Sequence, residues 1–166
     1  MAILRPVPVE PSAGQESVWR YPRPAVAEPS PLAIRVLFGG RVIAETVRSV
    51  RVLETSHPPT YYIPPDDVAR AFLQSADGSS LCEWKGGARY FDVVAGEDVA
   101  AGAAWSYRNP TPSFRAIRDH VAFYPALVEC WVEGERAVPQ DGGFYGGWIT
   151  SHVAGPFKGG PGTAMW

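Results

Sequence analysis

The sequence predicts a small, mostly β domain, and three observations lead to this class. The chain of 166 residues has the length of one domain, and 46% of its residues are hydrophobic against 19% charged, which is a globular balance. Glycine and proline each occur 17 times, which favours turns between short strands over long helices. Alternating hydrophobic residues flank a Gly-Gly pair. We therefore expect small antiparallel sheets with one or two short helices.

The strongest strand pattern lies between residues 33 and 54. Apolar residues alternate in 33–38, Gly39-Gly40 follows, and Arg41–Thr46 continues on the other side. A two-residue Gly-Gly loop suits a hairpin because both loop positions need positive φ. Residues 48–54 predict a third strand, so the region is expected to form a β-meander.

Helical spacing appears briefly after the next proline pair. Asp66 or Asp67 can cap a short helix that places Val68, Phe72 and their neighbours Ala69 and Leu73 on one side. Residues 76–79 are predicted as a turn, and Thr111-Pro112 as a second helix start. The other segments predicted as strands are 81–84, 88–94, 103–107, 120–124 and 127–132.

The chain is expected to divide into three parts. Prolines block regular structure in residues 1–14, which are predicted to form a flexible arm. Residues 15–141 form the single β-rich domain. Residues 142–166 alternate glycines with large aromatic residues, which a flexible linker would not need, so this tail is expected to wrap on the domain.

Composition and missing motifs argue against several classes of function. A net charge of −2 argues against a nucleic-acid surface, and no stretch approaches a membrane span or a signal peptide. Cys82 and Cys130 with three scattered histidines offer no zinc spacing. Phosphate-loop, dinucleotide-binding and serine-hydrolase motifs are absent from the sequence. We expect a cytoplasmic protein without metal or cofactor.

A histidine in a proline-stiffened turn is the first candidate for chemistry. His57 follows a predicted strand and precedes Pro58 and Pro59, which restrict the local backbone. Histidine changes protonation near neutral pH, and Glu54 or a backbone carbonyl can orient its ring. The alternative is a structural histidine whose ring caps the turn.

The second candidate region is the run 82–87. In an extended strand Cys82 and Trp84 share one face, and Lys85 follows directly. A cysteine nucleophile would need a base such as His57 beside it. The alternative is a buried, inert thiol, which is the commoner case.

The two lysines of the chain have similar surroundings. Thirteen arginines accompany only Lys85 and Lys158, and each lysine follows an aromatic residue and precedes two glycines. Lysine is a compact cation whose pKa can fall on burial, and glycines permit close approach of a ligand. The equal alternative is a pair of exposed turn residues.

Aromatic residues on the predicted strands form the third set. Most such rings are core, but a subset facing an open cleft would make a stacking or cation–π site. The rings concerned are Tyr90, Trp105, Tyr107, Phe123, Tyr124 and Trp131.

Four motifs together resemble a known family. They are W-R-Y-P-R-P at 19–24, V-R-V-L-E-T-S-H-P-P at 50–59, C-E-W-K-G at 82–86 and A-W-S-Y at 104–107. They are similar to domain of unknown function family 427, from about Trp19 to about Trp131, and the ending from Gly142 is similar to the tail of one subgroup.

The resemblance implies a bacterial or fungal, cytoplasmic protein with a fold similar to the β-tent class, which includes the ligand-binding domain of cereblon. Many β-tent domains hold zinc through cysteine pairs, whereas only Cys82 and Cys130 are available here. The family also carries a nucleotidyltransferase label. Such enzymes hold magnesium through paired acidic residues after a Gly-Ser, and Gly78-Ser79 is followed by no such pair.

Two functions of different classes follow. The first is binding of a small molecule in an aromatic-walled pocket, with Trp84 and Trp105 as walls, Tyr61 and Tyr62 as rims, and Lys85 and His57 as orienting charges. The second is a transferase or hydrolase with His57 as acid or base, Lys85 as stabiliser or nucleophile, and Cys82 as a further nucleophile. A plainer alternative is a protein-interaction domain without a deep pocket. We expect His57, Trp84, Lys85 and Trp105 to line one concave site.

Overall fold

The protein is mostly β. The computed structural model describes residues 6–82 and 85–166, with the side chains of these ranges except those of residues 77–82. In chain order the strands within the described ranges are β1 (Glu16–Ser17), β2 (Val26–Ser30), β3 (Ile34–Phe38), β4 (Arg41–Thr46), β5 (Ser49–Leu53), β6 (Thr60–Tyr62), β7 (Leu73–Cys82), β8 (Gly86–Ala95), β9 (Asp98–Tyr107), β10 (Val121–Phe123), β11 (Glu129–Val132), β12 (Glu135–Arg136), β13 (Val138–Pro139), β14 (Trp148–Ile149) and β15 (Val153–Ala154).

Three small antiparallel sheets contain most of these strands. Their strand orders are β10-β9-β8-β7, β12-β11-β3-β4 and β2-β5-β6. Two further pairs are the antiparallel β13-β14 and the parallel β1-β15. The predicted class, mostly β with small antiparallel sheets, is confirmed.

The first predicted hairpin is also confirmed. β3 and β4 pair antiparallel, with Phe38 opposite Arg41. Gly39 and Gly40 form the loop at φ 57° and 73°. Both angles lie in the left-handed region, which a side chain makes costly and a primed hairpin turn requires.

The predicted meander is wrong at its third strand. β5 does not pair with β4; it lies between β2 and β6 in another sheet. Its pattern explains why, since four of its five residues are buried. A strand covered on both faces suits the centre of a sheet, where the neighbouring layers supply apolar contacts on either side.

The predicted helix after Asp66 is wrong. Two short 3-10 segments, Pro65–Asp67 and Arg70–Phe72, replace it, and the strand β7 begins at Leu73. The carboxylate of Asp67 bonds the Thr46 hydroxyl at 2.6 Å and the Arg48 side chain at 3.0 Å, so it ties this loop to the end of β4 instead of capping a helix.

The predicted turn at 76–79 is wrong as well. These residues lie inside β7, where the pairing with β8 shifts register between Ser75 and Ser79. A β-bulge of this kind absorbs turn-forming residues without ending the strand.

The remaining predicted elements have counterparts. The strands predicted at 88–94, 103–107, 120–124 and 127–132 correspond to β8, β9, β10 and β11. The helix start at Thr111-Pro112 opens a 3-10 segment, Pro112–Ile117. The strand predicted at 81–84 is β7 as far as Cys82, and its last two residues lie outside the described ranges.

Two apolar clusters make up most of the core. The first joins the sheets of β3 and β9, and it contains Trp148, which is fully buried and donates its indole N–H to the Phe123 carbonyl at 3.0 Å. The second, here called the aromatic cluster, lies where β5, β6 and β9 meet the 3-10 segment Pro112–Ile117; it includes Tyr62 and Trp105.

Both ends of the described chain pack against each other. Besides the β1-β15 pair, the Val9 amide donates to the Gly155 carbonyl at 2.8 Å, and the Trp19 indole N–H donates to the Pro156 carbonyl at 2.8 Å. The division into arm, domain and tail stays a prediction. None of the helices in the described ranges has the length and apolar character needed to cross a membrane.

Candidate functional site

A cavity of about 370 Å³ opens over the aromatic cluster, in the size range of small-molecule sites. Its sides come from β5, β6, β8 and β9 and from residues 140–147, here called the 140–147 segment. Seven rings line it: Tyr62, Tyr90, Trp105, Tyr107, Tyr124, Phe144 and Tyr145. Its polar lining includes Glu54, His57, Lys85, Gln140 and Lys158.

Strand geometry produces the aromatic wall. Trp105 and Tyr107 are two residues apart on β9 and therefore point to the same face, and Tyr90 lies directly opposite Trp105 on β8. The Trp105 indole N–H donates to the Tyr62 hydroxyl at 3.3 Å. The Tyr124 ring centroid is 4.5 Å from that of Trp105. These contacts fix the rings in place.

Two glycines bring the 140–147 segment against this wall. A Cβ at Gly146 would collide with the Trp105 indole, and a Cβ at Gly147 would lie 2.6 Å from both the side-chain oxygen Oε1 of Gln140 and Pro58 Cγ. The absence of these side chains allows the segment to close one side of the cavity. Tyr145 then packs edge-on against the His57 ring, with centroids 5.1 Å apart.

A left-handed residue sets up the turn that carries His57. Ser56 has φ 72° and is fully buried, a conformation that is uncommon for a residue with a side chain. Its N–H donates to the Val18 carbonyl and its carbonyl accepts the Lys158 N–H, at 3.0 and 2.9 Å. These bonds hold the chain reversal after β5.

The hydrogen bonds of Gln140 determine the tautomer of His57. The Gln140 amide oxygen accepts the Gly147 N–H at 3.2 Å, so its nitrogen is the atom that donates to the Lys158 carbonyl at 2.6 Å and faces His57 Nδ1 at 3.0 Å. Nδ1 must therefore accept, and the proton of the neutral ring lies on Nε2. Nε2 is 3.6 Å from a Glu54 carboxylate oxygen.

Burial lowers the pKa of His57, and the charges around it act in both directions. The Glu54 carboxylate opposes the effect of burial, while Lys158, Arg23 and Lys85 reinforce it. The imidazole is therefore neutral near pH 7, in agreement with the acceptor role of Nδ1. Three cations lie close enough to affect this ring.

Both lysines of the chain line the cavity. The carbonyl of Lys85 accepts the Thr111 N–H at 3.1 Å, and its ammonium lies 5.8 Å from the Phe114 ring centroid. The ammonium of Lys158 donates to the main-chain oxygen of Trp166 at 3.3 Å. The two lysines come from distant parts of the sequence and meet at one site.

Of the residues predicted for the site, His57, Tyr62, Lys85 and Trp105 are brought together in this cavity. Tyr61 is not among its lining residues. It points to the opposite face of β6, is 2% exposed, and packs on Trp148 with centroids 5.1 Å apart.

Two predicted residues fall outside the description of the site. Trp84 lies outside the described ranges, and of Cys82 only the backbone is described, as the end of β7. Their expected roles as wall and nucleophile stay predictions.

Sequence reasoning missed the contribution of the 140–147 segment. Gln140, Phe144 and Tyr145 line the cavity, but none of them belongs to a recognisable motif. The usable signal was the Gly146-Gly147 pair beside aromatic residues, because paired glycines mark a close backbone approach. No group of three or more metal-binding side chains lies together in the described part of the chain.

The family model described as Domain of unknown function (DUF427) matches residues 26–134. The chain belongs to this family. No curated protein matches the chain. The DUF427 match contains the aromatic wall, His57 and Lys85, whereas Gln140, Tyr145 and Lys158 follow it in the sequence. The cavity is thus built from the DUF427 region and from the segment after it.

Proposed function

We propose that this DUF427 domain binds a small aromatic molecule with a negatively charged group in the cavity beside Lys85 and Lys158. The observation that carries the proposal is the meeting of the only two lysines of the chain at one aromatic-walled cavity of ligand size.

Charge favours an anionic ligand. Both lysines line the cavity, and Glu54 is the only residue with a carboxylate side chain among its described lining residues. Because burial keeps His57 neutral near pH 7, the lining residues that the structure describes carry net positive charge. An anion inside a partly buried site gains more from these cations than it would in open water.

The rings favour a planar ligand body. The Trp105 ring contacts both Tyr62 and Tyr124, so the wall is formed before a ligand enters. Rigid aromatic walls supply contact area at low entropic cost, and offset or edge-to-face packing against a ligand ring adds to it.

The enzymatic alternative has less support. A general base needs a free lone pair that faces the substrate, but Nδ1 of His57 accepts from Gln140 and Nε2 carries the proton towards Glu54. A nucleotidyltransferase would also need paired carboxylates for magnesium, and Glu54 is the only one in the described lining. His57 fits better as a positioning residue for the 140–147 segment.

Calorimetric titration with para-hydroxybenzoate and its uncharged relative para-cresol tests the proposal. The carboxylate compound is expected to bind at least about tenfold more tightly, a difference that one favourable charge interaction can supply. Lys85→Ala and Lys158→Ala should each lower the affinity for para-hydroxybenzoate by about tenfold. Arg70→Ala is the control, since Arg70 is an exposed cation away from the cavity.

Equal affinity for the two compounds would contradict the proposal, and so would unchanged affinity in both lysine variants. Amide proton spectra of each variant establish that the fold is intact before affinities are compared.

A further inference from the structure

A second cavity, of about 460 Å³, adjoins the first. Tyr90, Tyr124, Gln140 and Tyr145 line both cavities. A ligand that fills the first cavity therefore has a second compartment within reach, across a boundary made of three tyrosines and one amide.

The boundary is polar but uncharged. Burial, followed by the neighbouring hydroxyl of Tyr90, raises the pKa of Tyr124 to about 12. The phenol of Tyr124 therefore stays neutral near pH 7. Each boundary tyrosine contributes an aromatic ring and a hydroxyl group to the lining of both cavities.

The second compartment differs in chemistry from the first. Among its described lining residues Asp141 is the only charged one, and Gly102, Gly142 and Gly143 leave backbone groups without covering side chains. The exposed Asp141 carboxylate has no hydrogen-bond or ion-pair partner within the described ranges. A free carboxylate acceptor beside aromatic residues suits a neutral group that carries several hydroxyl donors.

We propose that the ligand has two parts: an anionic ring in the first cavity and a neutral polyhydroxyl group, such as a hexose, in the second. This inference rests on the proposed function. The hydroxyls donate to the Asp141 carboxylate, while the C–H face of the sugar packs on the boundary tyrosines. The ligand class is thus a glycoside of an aromatic acid.

Calorimetry with para-carboxyphenyl β-D-glucoside against para-hydroxybenzoate tests the inference, because the two differ only by the sugar. The glucoside is expected to bind at least about tenfold more tightly to the wild-type chain. In Asp141→Ala and Asp141→Asn this gain should fall below about threefold, while the affinity for para-hydroxybenzoate stays the same. Asp66→Ala, which removes an exposed carboxylate that lines neither cavity, is the matched control.

A third compound, para-butoxybenzoate, replaces the sugar by an apolar extension and should give no such gain. A gain with the butyl chain equal to that with the sugar would overturn the inference, as would a glucoside no tighter than para-hydroxybenzoate. In both cases lysine-dependent binding of para-hydroxybenzoate would leave the proposed function standing. Failure of para-hydroxybenzoate itself to bind would remove both proposals.

Discussion

The side-chain nitrogen of Gln140 lies 3.0 Å from Nδ1 of His57, although the two are 83 positions apart in sequence. The bond joins the 140–147 segment to the turn after β5, and residues of both elements line the first cavity. A protonated His57 would turn Nδ1 into a donor facing another donor. The shape of the cavity therefore depends on a neutral imidazole.

Replacing Gln140 by glutamate should raise the pKa of His57. The new carboxylate accepts from a protonated Nδ1 and stabilises the imidazolium, so we expect a rise of at least about one unit. A titration of the His57 ring protons by NMR measures it. Gln15→Glu is the control, because the Gln15 side chain bonds the Ser151 carbonyl and not the histidine. An unchanged His57 pKa in Gln140→Glu would contradict the hydrogen-bond assignment.

The stability of the fold should fall in mild acid because of His57. Its folded-state pKa lies below its ordinary value of 6.5, so between these two values the unfolded chain binds more protons. The free energy of unfolding should therefore decrease as the pH falls below about 6.5 and level off below the folded-state pKa.

Urea unfolding of wild type and His57→Asn at about pH 7.5 and about pH 5 measures this difference. The His57→Asn variant should lose less stability on acidification than the wild type. An equal loss in wild type and His57→Asn would count against a buried neutral imidazole.

A methyl group at Gly146 should close the first cavity. Its Cβ would collide with the Trp105 indole, so Gly146→Ala is expected to cost about 1–3 kcal/mol of stability through overpacking and to abolish binding of para-hydroxybenzoate. Gly143→Ala is matched to it, since a Cβ there meets nothing within 4 Å. Urea unfolding and calorimetry measure the stability and the ligand affinity of both variants. Equal stability and equal affinity in Gly146→Ala and Gly143→Ala would mean that the contact between Gly146 and Trp105 is not formed.

The hairpin loop should tolerate its two glycines differently. Gly39 has φ 57°, and a Cβ there would lie 3.0 Å from Ala95 Cβ, whereas a Cβ at Gly40 meets nothing. Gly39→Val should cost at least about 1 kcal/mol, and Gly40→Asn much less because asparagine tolerates a left-handed backbone. Denaturation midpoints measure both, and a stable Gly39→Val protein would contradict the loop geometry.

The sequence could predict those parts of the fold that depend on neighbouring residues alone. The Gly39-Gly40 hairpin depends on a φ requirement within two residues, and it was predicted with its strands. The roles of Asp67 and β5 depend on partners elsewhere: Asp67 bonds Thr46 and Arg48, and β5 pairs with β2. Helical spacing and sequence proximity carried no information about those partners.

In the candidate site, too, the residues that depend on distant contacts could not be predicted from the sequence. Because the chain has only two lysines, the sequence alone pointed to Lys85 and Lys158 as candidates, and both line the cavity. Tyr61 and Tyr62 are neighbours on one strand, so one of them had to face away, but alternation alone does not say which. Gln140 could not be found, because its role follows only from hydrogen bonds to Gly147, Lys158 and His57.

Intermolecular nuclear Overhauser effects between para-hydroxybenzoate and the protein test the central claim most directly. The Trp105 indole N–H signal, identified by its loss in Trp105→Phe, serves as the reporter. The account predicts contacts from the ligand ring protons to Trp105 and Tyr62, with the Trp131 indole signal unaffected, since Trp131 does not line the cavity. If ligand at saturating concentration shows no Overhauser effects to Trp105, or shows them to Trp131 instead, the account of the binding site is contradicted.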